Sequence, residues 1–172
     1  MFKSHSELNW FYMKLVMANL ILMVAMLCVG FYYYSILPSK VPVHFGSNGK
    51  PDRFGSKSEL LILPVLFSSV PLIAIVLFKF RYRIWRYLSV GIDLERLDEE
   101  KRRRIVDEYF KLVLSFFVFL NLFLLSLEIA SFESSLKGEL VWWFYPALIL
   151  VVIPIVPYLM LYSKFVKRWQ RI

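Results

Sequence analysis

The chain has 172 residues, of which 59% are hydrophobic and 18% aromatic, and its formal net charge is +8 at pH 7. Soluble domains are closer to half apolar, so this composition favours a membrane protein over a soluble globular one. The single cysteine, Cys28, excludes an intramolecular disulfide framework and provides no thiol-based metal site.

Four runs of the sequence are long and apolar enough to cross a bilayer, because about 20 helical residues span its hydrocarbon core. Three runs contain no charged residue, and the remaining one contains only Glu128. We therefore predict an all-α integral membrane protein that forms a single membrane domain over residues 1–172. Its predicted segments are an N-terminal segment 1–14, span one 15–37, an outer loop 38–59, span two 60–78, a basic loop 79–111, span three 112–132, a second outer loop 133–139, span four 140–163 and a tail 164–172.

The distribution of lysine and arginine predicts the orientation of the chain. The N-terminal segment, the basic loop and the tail hold 16 of these residues, whereas the two outer loops hold 5. The positive-inside rule then places both termini and the basic loop in the cytoplasm, at a cell membrane. The positive charge is accounted for by this topology and by contact of the basic loop with anionic lipid headgroups. We therefore expect no nucleic-acid partner.

The first outer loop has a strongly specified sequence, LPSKVPVHFGSNGKPDRFGSK over residues 37–57. Apolar and polar residues alternate over positions 40–45, which indicates a short strand. The pair Asn48-Gly49 follows and favours a tight hairpin turn. The sequence therefore predicts a structured cap over the outer end of the helices.

Prolines and a capping motif set the backbone on either side of that turn. Pro38 and Pro42 restrict the chain to extended conformations as it leaves span one, and Pro51 is a further turn signal. Ser56 and Glu59 have the spacing of a capping box, which predicts the start of the next helix. Most of the loop is thus explained by backbone shape.

A few side chains in the loop are not needed for that shape, namely His44, Asp52, Arg53 and Phe54. His44 and Asp52 lie within reach of each other across the turn, but no serine or cysteine nucleophile accompanies them. The other histidine, His5, is predicted on the opposite side of the membrane, so the two cannot share a metal ion. We therefore expect no enzyme activity, no metal site and no cofactor.

The basic loop contains a helix signal. Asp98 is a candidate N-cap, and Glu99 and Glu100 in the following turn favour the helix dipole. We predict a cytoplasmic helix that continues into span three. It is either a solvated stalk or a docking site for a partner protein.

Polar residues inside the spans are few. Asn19 and Asn121 are predicted to form interhelical hydrogen bonds. Glu128 lies near the outer end of span three, and an ionisable group there is costly unless it serves a purpose. It either reaches water by extending to the membrane surface or belongs to a binding pocket beneath the outer loop.

The outer loop resembles the domain of unknown function 1648, a small membrane domain found at the N-terminal end of SdpI-like immunity proteins. The resemblance rests on a series of short motifs. Leu-Pro comes first and is followed, after three other residues, by Pro-x-His-Phe. A glycine, the pair Pro-Asp and the triplet Gly-Ser-Lys come after it in that order. The matching residues are Leu37, Pro38, Pro42, His44, Phe45, Gly49, Pro51, Asp52, Gly55, Ser56 and Lys57. These residues and Glu128 are the candidates for a recognition or structural motif.

The resemblance implies an integral membrane protein with an immunity or signalling role. Some relatives protect their cell from a secreted toxin, and some hold a repressor at the membrane. It thus implies a secreted toxin or peptide as an outer partner and a repressor or other protein at the basic loop. A small transporter, or an accessory subunit of a membrane transport complex, is the alternative. That alternative rests on five prolines that predict kinks in spans two and four, at Pro64, Pro71, Pro146, Pro154 and Pro157.

Overall fold

The computed structural model describes residues 5–88, 91–150 and 152–170. Within them, four helical segments are long and apolar enough to cross a membrane, at Trp10–Ile36, Lys57–Lys79, Glu99–Lys137 and Phe144–Trp169. Helix accounts for 78% of the structure, which confirms the predicted all-α membrane fold. The elements in chain order are α1 (His5–Ile36), β1 (Lys40–Phe45), β2 (Pro51–Ser56), a 3₁₀ turn (Lys57–Leu61), α2 (Ile62–Lys79), α3 (Arg81–Ile84), two further 3₁₀ turns (Trp85–Tyr87 and Leu94–Arg96), α4 (Glu99–Lys137), α5 (Phe144–Leu150) and α6 (Val152–Trp169).

The first outer loop is a β-hairpin, as its turn signal predicts. β1 and β2 pair antiparallel, with Lys40 opposite Ser56 and Phe45 opposite Pro51. Gly49 has a φ of 74°, a conformation that glycine adopts without steric cost. We call this side of the molecule the hairpin end and the side that holds the loop between α2 and α4 the basic end.

The helix α4 is continuous over 39 residues and joins the basic loop to span three, as predicted. Asp98 caps it, because the backbone N–H of Lys101 donates to Asp98 Oδ1 at 2.8 Å. At a rise of 1.5 Å per residue the helix is about 58 Å long, well beyond the hydrocarbon thickness of a bilayer. Its N-terminal turns therefore lie outside the membrane core. The helix ends at Gly138, whose left-handed conformation closes the last turn.

The N-terminal turns of α4 are not a solvated stalk. Ile105 and Phe110 are almost completely buried in a cluster with Phe165 and Trp169 of α6. This apolar contact holds the two helices together at the basic end. Cys28, by contrast, lies on the exposed surface of α1 and is not packed in the interior.

Two of the five span prolines lie at the beginning of a helix and do not interrupt it. Pro64 and Pro146 each occupy the third position of α2 or α5, where a missing backbone N–H removes no helical hydrogen bond. The expected kinks at these two positions are therefore wrong. The kink expected at Pro154 is not tested, because the turn before it includes residue 151, which lies outside the described residues. Pro71 and Pro157 do lie inside helices. The predicted fourth span corresponds to α5 and α6, which lie on either side of residue 151, outside the described residues.

The predicted interhelical hydrogen bonds of Asn19 and Asn121 join these residues to each other. Asn121 Nδ2 donates to Asn19 Oδ1 at 2.8 Å, and both side chains are fully buried. Asn19 Nδ2 in turn donates to the carbonyl oxygen of Leu15 at 2.8 Å. A polar pair of this kind fixes the register of α1 against α4, because any slip would leave both amides unpaired in an apolar interior.

Candidate recognition site

The hairpin is fixed to the C-terminal part of α4 and to the loop after it. Ser135 Oγ donates to the carbonyl oxygen of Pro42 at 2.8 Å. The backbone N–H of Leu140 donates to the carbonyl oxygen of Gly49 at 3.1 Å. Val41 is fully buried in a cluster that contains Phe132 of α4. The loop is therefore an ordered cap, as the sequence predicts.

Ser56 and Glu59 form the predicted capping box. The backbone N–H of Ser58 donates to Ser56 Oγ at 3.2 Å, and Glu59 Oε1 accepts from the backbone N–H of Ser56 at 3.0 Å. A Cβ atom at Gly55 would collide with the Glu59 carboxyl group, so only glycine allows the carboxylate to fold back here. Glu59 Oε2 also accepts from Arg53 Nη1 at 3.2 Å. The motif fixes the corner between β2 and α2.

Lys57 and the prolines of the motif also set backbone structure. Lys57 Nζ donates to the carbonyl oxygens of Tyr34 and Leu37 at the end of α1, at 2.8 and 3.1 Å. Pro38 directly follows that helix end and is exposed, and Pro51 begins β2. We assign these residues to the shape of the cap and not to direct contact with a ligand.

A groove of about 920 Å³ lies beneath the hairpin. It is bounded by β1, the first turns after β2, the C-terminal turns of α4 and the beginning of α5, and Phe45 contributes to its lining. Its polar lining includes His44, Arg53, Ser58, Glu59, Ser131 and Ser135. This volume is in the range of small-molecule sites, in which apolar walls surround a few polar groups.

His44 and Asp52 pair across the hairpin, and the structure brings the histidine to the groove. His44 Nδ1 lies 2.5 Å from Asp52 Oδ1, and both side chains are exposed. In the neutral ring this contact places the proton on Nδ1 and leaves Nε2 as an acceptor. Nε2 has no hydrogen-bond partner among the described residues. The pair therefore presents an oriented imidazole at the groove.

Glu128 is fully buried, so the alternative in which its carboxylate reaches water is wrong. It lies one helical turn before Ser131, which lines the groove. Neither of its carboxyl oxygens has a hydrogen-bond partner in the described part of the chain. Gly30 of α1 packs against the same position, because a Cβ atom there would lie 3.4 Å from Glu128 Oε1. A role for Glu128 in a pocket stays a prediction.

Two features of the structure were missed by the sequence reading. The serines of the groove recur at helical spacing from the end of span three into the predicted second outer loop, at positions 131, 134 and 135, and that pattern could have been found. The second feature is an ion pair at the basic end, in which Arg81 Nε lies 2.8 Å from Asp107 Oδ1 with both side chains largely buried. Tyr82 also donates to Asp107. No local signal indicates this pair, because its partners are 26 residues apart.

Among the residues that the structure describes, no group of three or more His, Cys, Asp or Glu side chains is placed to hold a metal ion.

The geometry defines a class of protein: a multi-pass membrane protein with four spans, a docked β-hairpin and a groove beneath it. Comparison with known proteins makes the class specific. Residues 21–67 match the family described as "Domain of unknown function (DUF1648)". A protein of Archaeoglobus fulgidus (strain ATCC 49558 / DSM 4304 / JCM 9628 / NBRC 100126 / VC-16), described as "Uncharacterized protein", is 38% identical over 149 residues, which cover 80% of this chain and 79% of that protein. No solved structure matches.

The chain belongs to the DUF1648 family, which confirms the resemblance of the loop motif. The matched region contains α1 from its middle onward, the whole hairpin and the beginning of α2. It includes His44 and Asp52, whereas Glu128 lies outside it.

Proposed function

We propose that this protein is a membrane-bound recognition protein of the SdpI-like immunity or signalling type. Its hairpin and groove would bind a secreted toxin or peptide that arrives from outside the cell. The observation that carries the proposal is the position of His44, whose ring is oriented by Asp52 at the edge of a groove. The neighbouring motif residues hold the backbone, so these two side chains are available for a ligand.

The polar groups around the groove support binding by hydrogen bonds more than by net charge. Arg53 and Glu59 lie 3.2 Å apart and largely neutralise each other. Nε2 of His44 and the hydroxyl oxygen of Ser131, whose proton is donated to the carbonyl oxygen of Leu127 at 2.8 Å, then provide two acceptors near an apolar wall. A peptide with apolar side chains and free backbone amides suits this combination.

The basic end would face the cytoplasm in this proposal. Arg83, Arg86 and Tyr87 are exposed there, and Tyr87 is 88% exposed. Cations and an aromatic ring next to a transmembrane helix favour contact with anionic lipid headgroups. A repressor or other signalling protein would bind to the same end of the molecule.

An accessory subunit of a transport complex is the second candidate function. One observation favours it. Only 7% of the most apolar 18-residue stretch of the fourth span is buried by the rest of this chain, whereas the corresponding share is 22 to 28% in the other three spans. A span so little covered by its own chain offers a surface to another membrane protein. Co-purification in mild detergent with a second membrane protein, through a tag on this chain, would favour this function.

Complementation of a deletion strain tests the recognition function. Cells that carry the wild-type protein, His44→Ala, Asp52→Ala or Lys50→Ala would be challenged with secreted peptide toxins, and the protein in the membrane would be quantified. Lys50 is the matched control, because it is an exposed residue of the same turn that does not line the groove. We expect the wild type and Lys50→Ala to survive, and the His44 and Asp52 variants to lose protection at normal abundance. Equal protection by all four proteins would contradict the proposal.

A further inference from the structure

Glu128 is a buried acid that forms no ion pair with the part of the chain that the structure describes. Its side chain is fully inaccessible, and its two carboxyl oxygens lack hydrogen-bond partners within the described residues. Two basic groups of the hairpin end bind elsewhere, since Lys57 binds the end of α1 and Arg53 binds Glu59. An uncompensated carboxyl group in the interior of a membrane protein costs several kcal/mol, so such residues are generally functional.

The helix geometry connects this carboxyl group with the groove. Ser131 and Ser135 follow Glu128 by three and seven residues, so the three side chains lie on one face of α4. Both serines line the groove. Glu128 therefore lies about one turn, or roughly 5 Å, below the lining serines.

Glu128 lies beside a close contact of two helices. A Cβ atom at Gly30 of α1 would lie 3.4 Å from Glu128 Oε1 and only 2.5 Å from Pro64 Cγ of α2. Neither residue has a polar side chain that could donate to the carboxyl group, and Pro64 has no backbone N–H. A ligand with a hydrogen-bond donor would supply what these two neighbours lack.

We propose that Glu128 is the anchoring residue of a ligand site that continues from the groove, and that the ligand carries a primary amine on an apolar body. This inference rests on the proposed function of the groove and names the chemistry of what it binds. An ammonium group supplies three donors and a positive charge to the carboxylate, and the apolar body fits walls formed by Leu60, Leu63 and Phe144. A divalent metal ion fits less well, because Ca²⁺ or Mg²⁺ needs about six oxygen ligands.

Binding of two matched amphiphiles tests the proposal. The protein would be reconstituted in nanodiscs of neutral lipid, and the equilibrium binding of radiolabelled dodecylamine and dodecanol would be measured against empty nanodiscs. The two probes differ only in the amine. We expect the wild type to prefer dodecylamine by on the order of tenfold or more, the range of a hydrogen bond to a charged group. Glu128→Gln should abolish the preference and still bind dodecanol.

Glu133→Gln is the matched control, since Glu133 is on the same helix but bonds Lys137 at 3.4 Å and does not line the groove. It should keep the preference for the amine. A preference that is absent from the wild type, or that persists in Glu128→Gln, would overturn the proposal. Dodecanol binding separates this result from a failure of the groove itself, because a groove that binds neither probe would contradict both proposals.

A measurement on the wild-type protein covers the case in which Glu128→Gln does not fold. A hydrophobic carbodiimide modifies buried carboxyl groups, and mass spectrometry of the peptide that contains Glu128 locates the modification. Dodecylamine should protect Glu128 from this reagent, whereas dodecanol should not. Equal modification with either probe bound would overturn the assignment.

Discussion

Lys57 caps the end of the first transmembrane helix by donating from Nζ to the carbonyl oxygen of Leu37, at 3.1 Å. The same ammonium group binds the carbonyl oxygen of Tyr34 at 2.8 Å and lies over the Tyr34 ring. The last carbonyl groups of a helix have no partner within it and attract cations. Since Lys57 directly follows β2, this contact ties the hairpin to the first span.

Replacement of Lys57 should therefore loosen the hairpin end. We expect Lys57→Met to reduce the free energy of unfolding by about 1 to 3 kcal/mol, the range for hydrogen bonds to a charged group. Thermal unfolding in detergent, followed by tryptophan fluorescence, measures the change. Lys50→Met is the control, because the side chain of Lys50 is exposed. Equal melting temperatures for the two variants would show that the capping contact contributes nothing.

The N-cap residue of α4, Asp98, makes the stability of the first turn of this helix depend on pH. The hydrogen bond from the backbone N–H of Lys101 holds the pKa of Asp98 below its usual value. The ionised form is thus favoured in the folded helix. Its stabilisation is present above the ordinary pKa of about 4 and is lost as the pH falls through the lower folded pKa.

Hydrogen exchange of the amides of residues 100–102 measures this effect. Asp98→Asn is the matched variant, because asparagine caps helices about as well but carries no charge. We expect the wild type to protect these amides better at pH 7 and the two proteins to converge at a pH well below 4. Identical protection at pH 7 would contradict a contribution from the charge of Asp98.

Local signals predicted the parts of this fold that depend on neighbouring residues. The length of the apolar runs predicted the four spans, and the Asn48-Gly49 pair predicted the hairpin. Asp98 predicted the beginning of α4. The prolines show the limit of such signals. Pro64 lies in the first turn of α2, which follows the 3₁₀ turn Lys57–Leu61, and composition alone does not show which proline falls at the beginning of a helix.

The candidate site depends on contacts between distant parts of the chain. The bond from Ser135 to Pro42 joins residues 93 positions apart and closes the hairpin over α4. No pattern in the outer loop identifies that partner. The burial of Glu128 has the same origin, because Gly30 lets α1 pack closely against Pro64 of α2 beside this carboxyl group. Sequence position alone placed Glu128 within reach of the membrane surface, whereas packing by other helices removed it from water.

The orientation of the protein is the remaining prediction, and the charge distribution gives its direction. Ser47 at the hairpin end and Tyr87 at the basic end are both exposed, so a cysteine at either position should be reactive. In a Cys28→Ala background, we expect Ser47→Cys to react with a membrane-impermeant maleimide in intact cells. Tyr87→Cys should react only after the membrane is permeabilised, because the basic end is expected in the cytoplasm.

The reverse labelling pattern would place the groove in the cytoplasm. A secreted toxin could then no longer be its ligand, and the recognition proposal would fail. The amine site at Glu128 depends on the helix packing and not on the side of the membrane, so the nanodisc experiment would keep its meaning. Labelling and binding therefore test the orientation and the chemistry of the site independently.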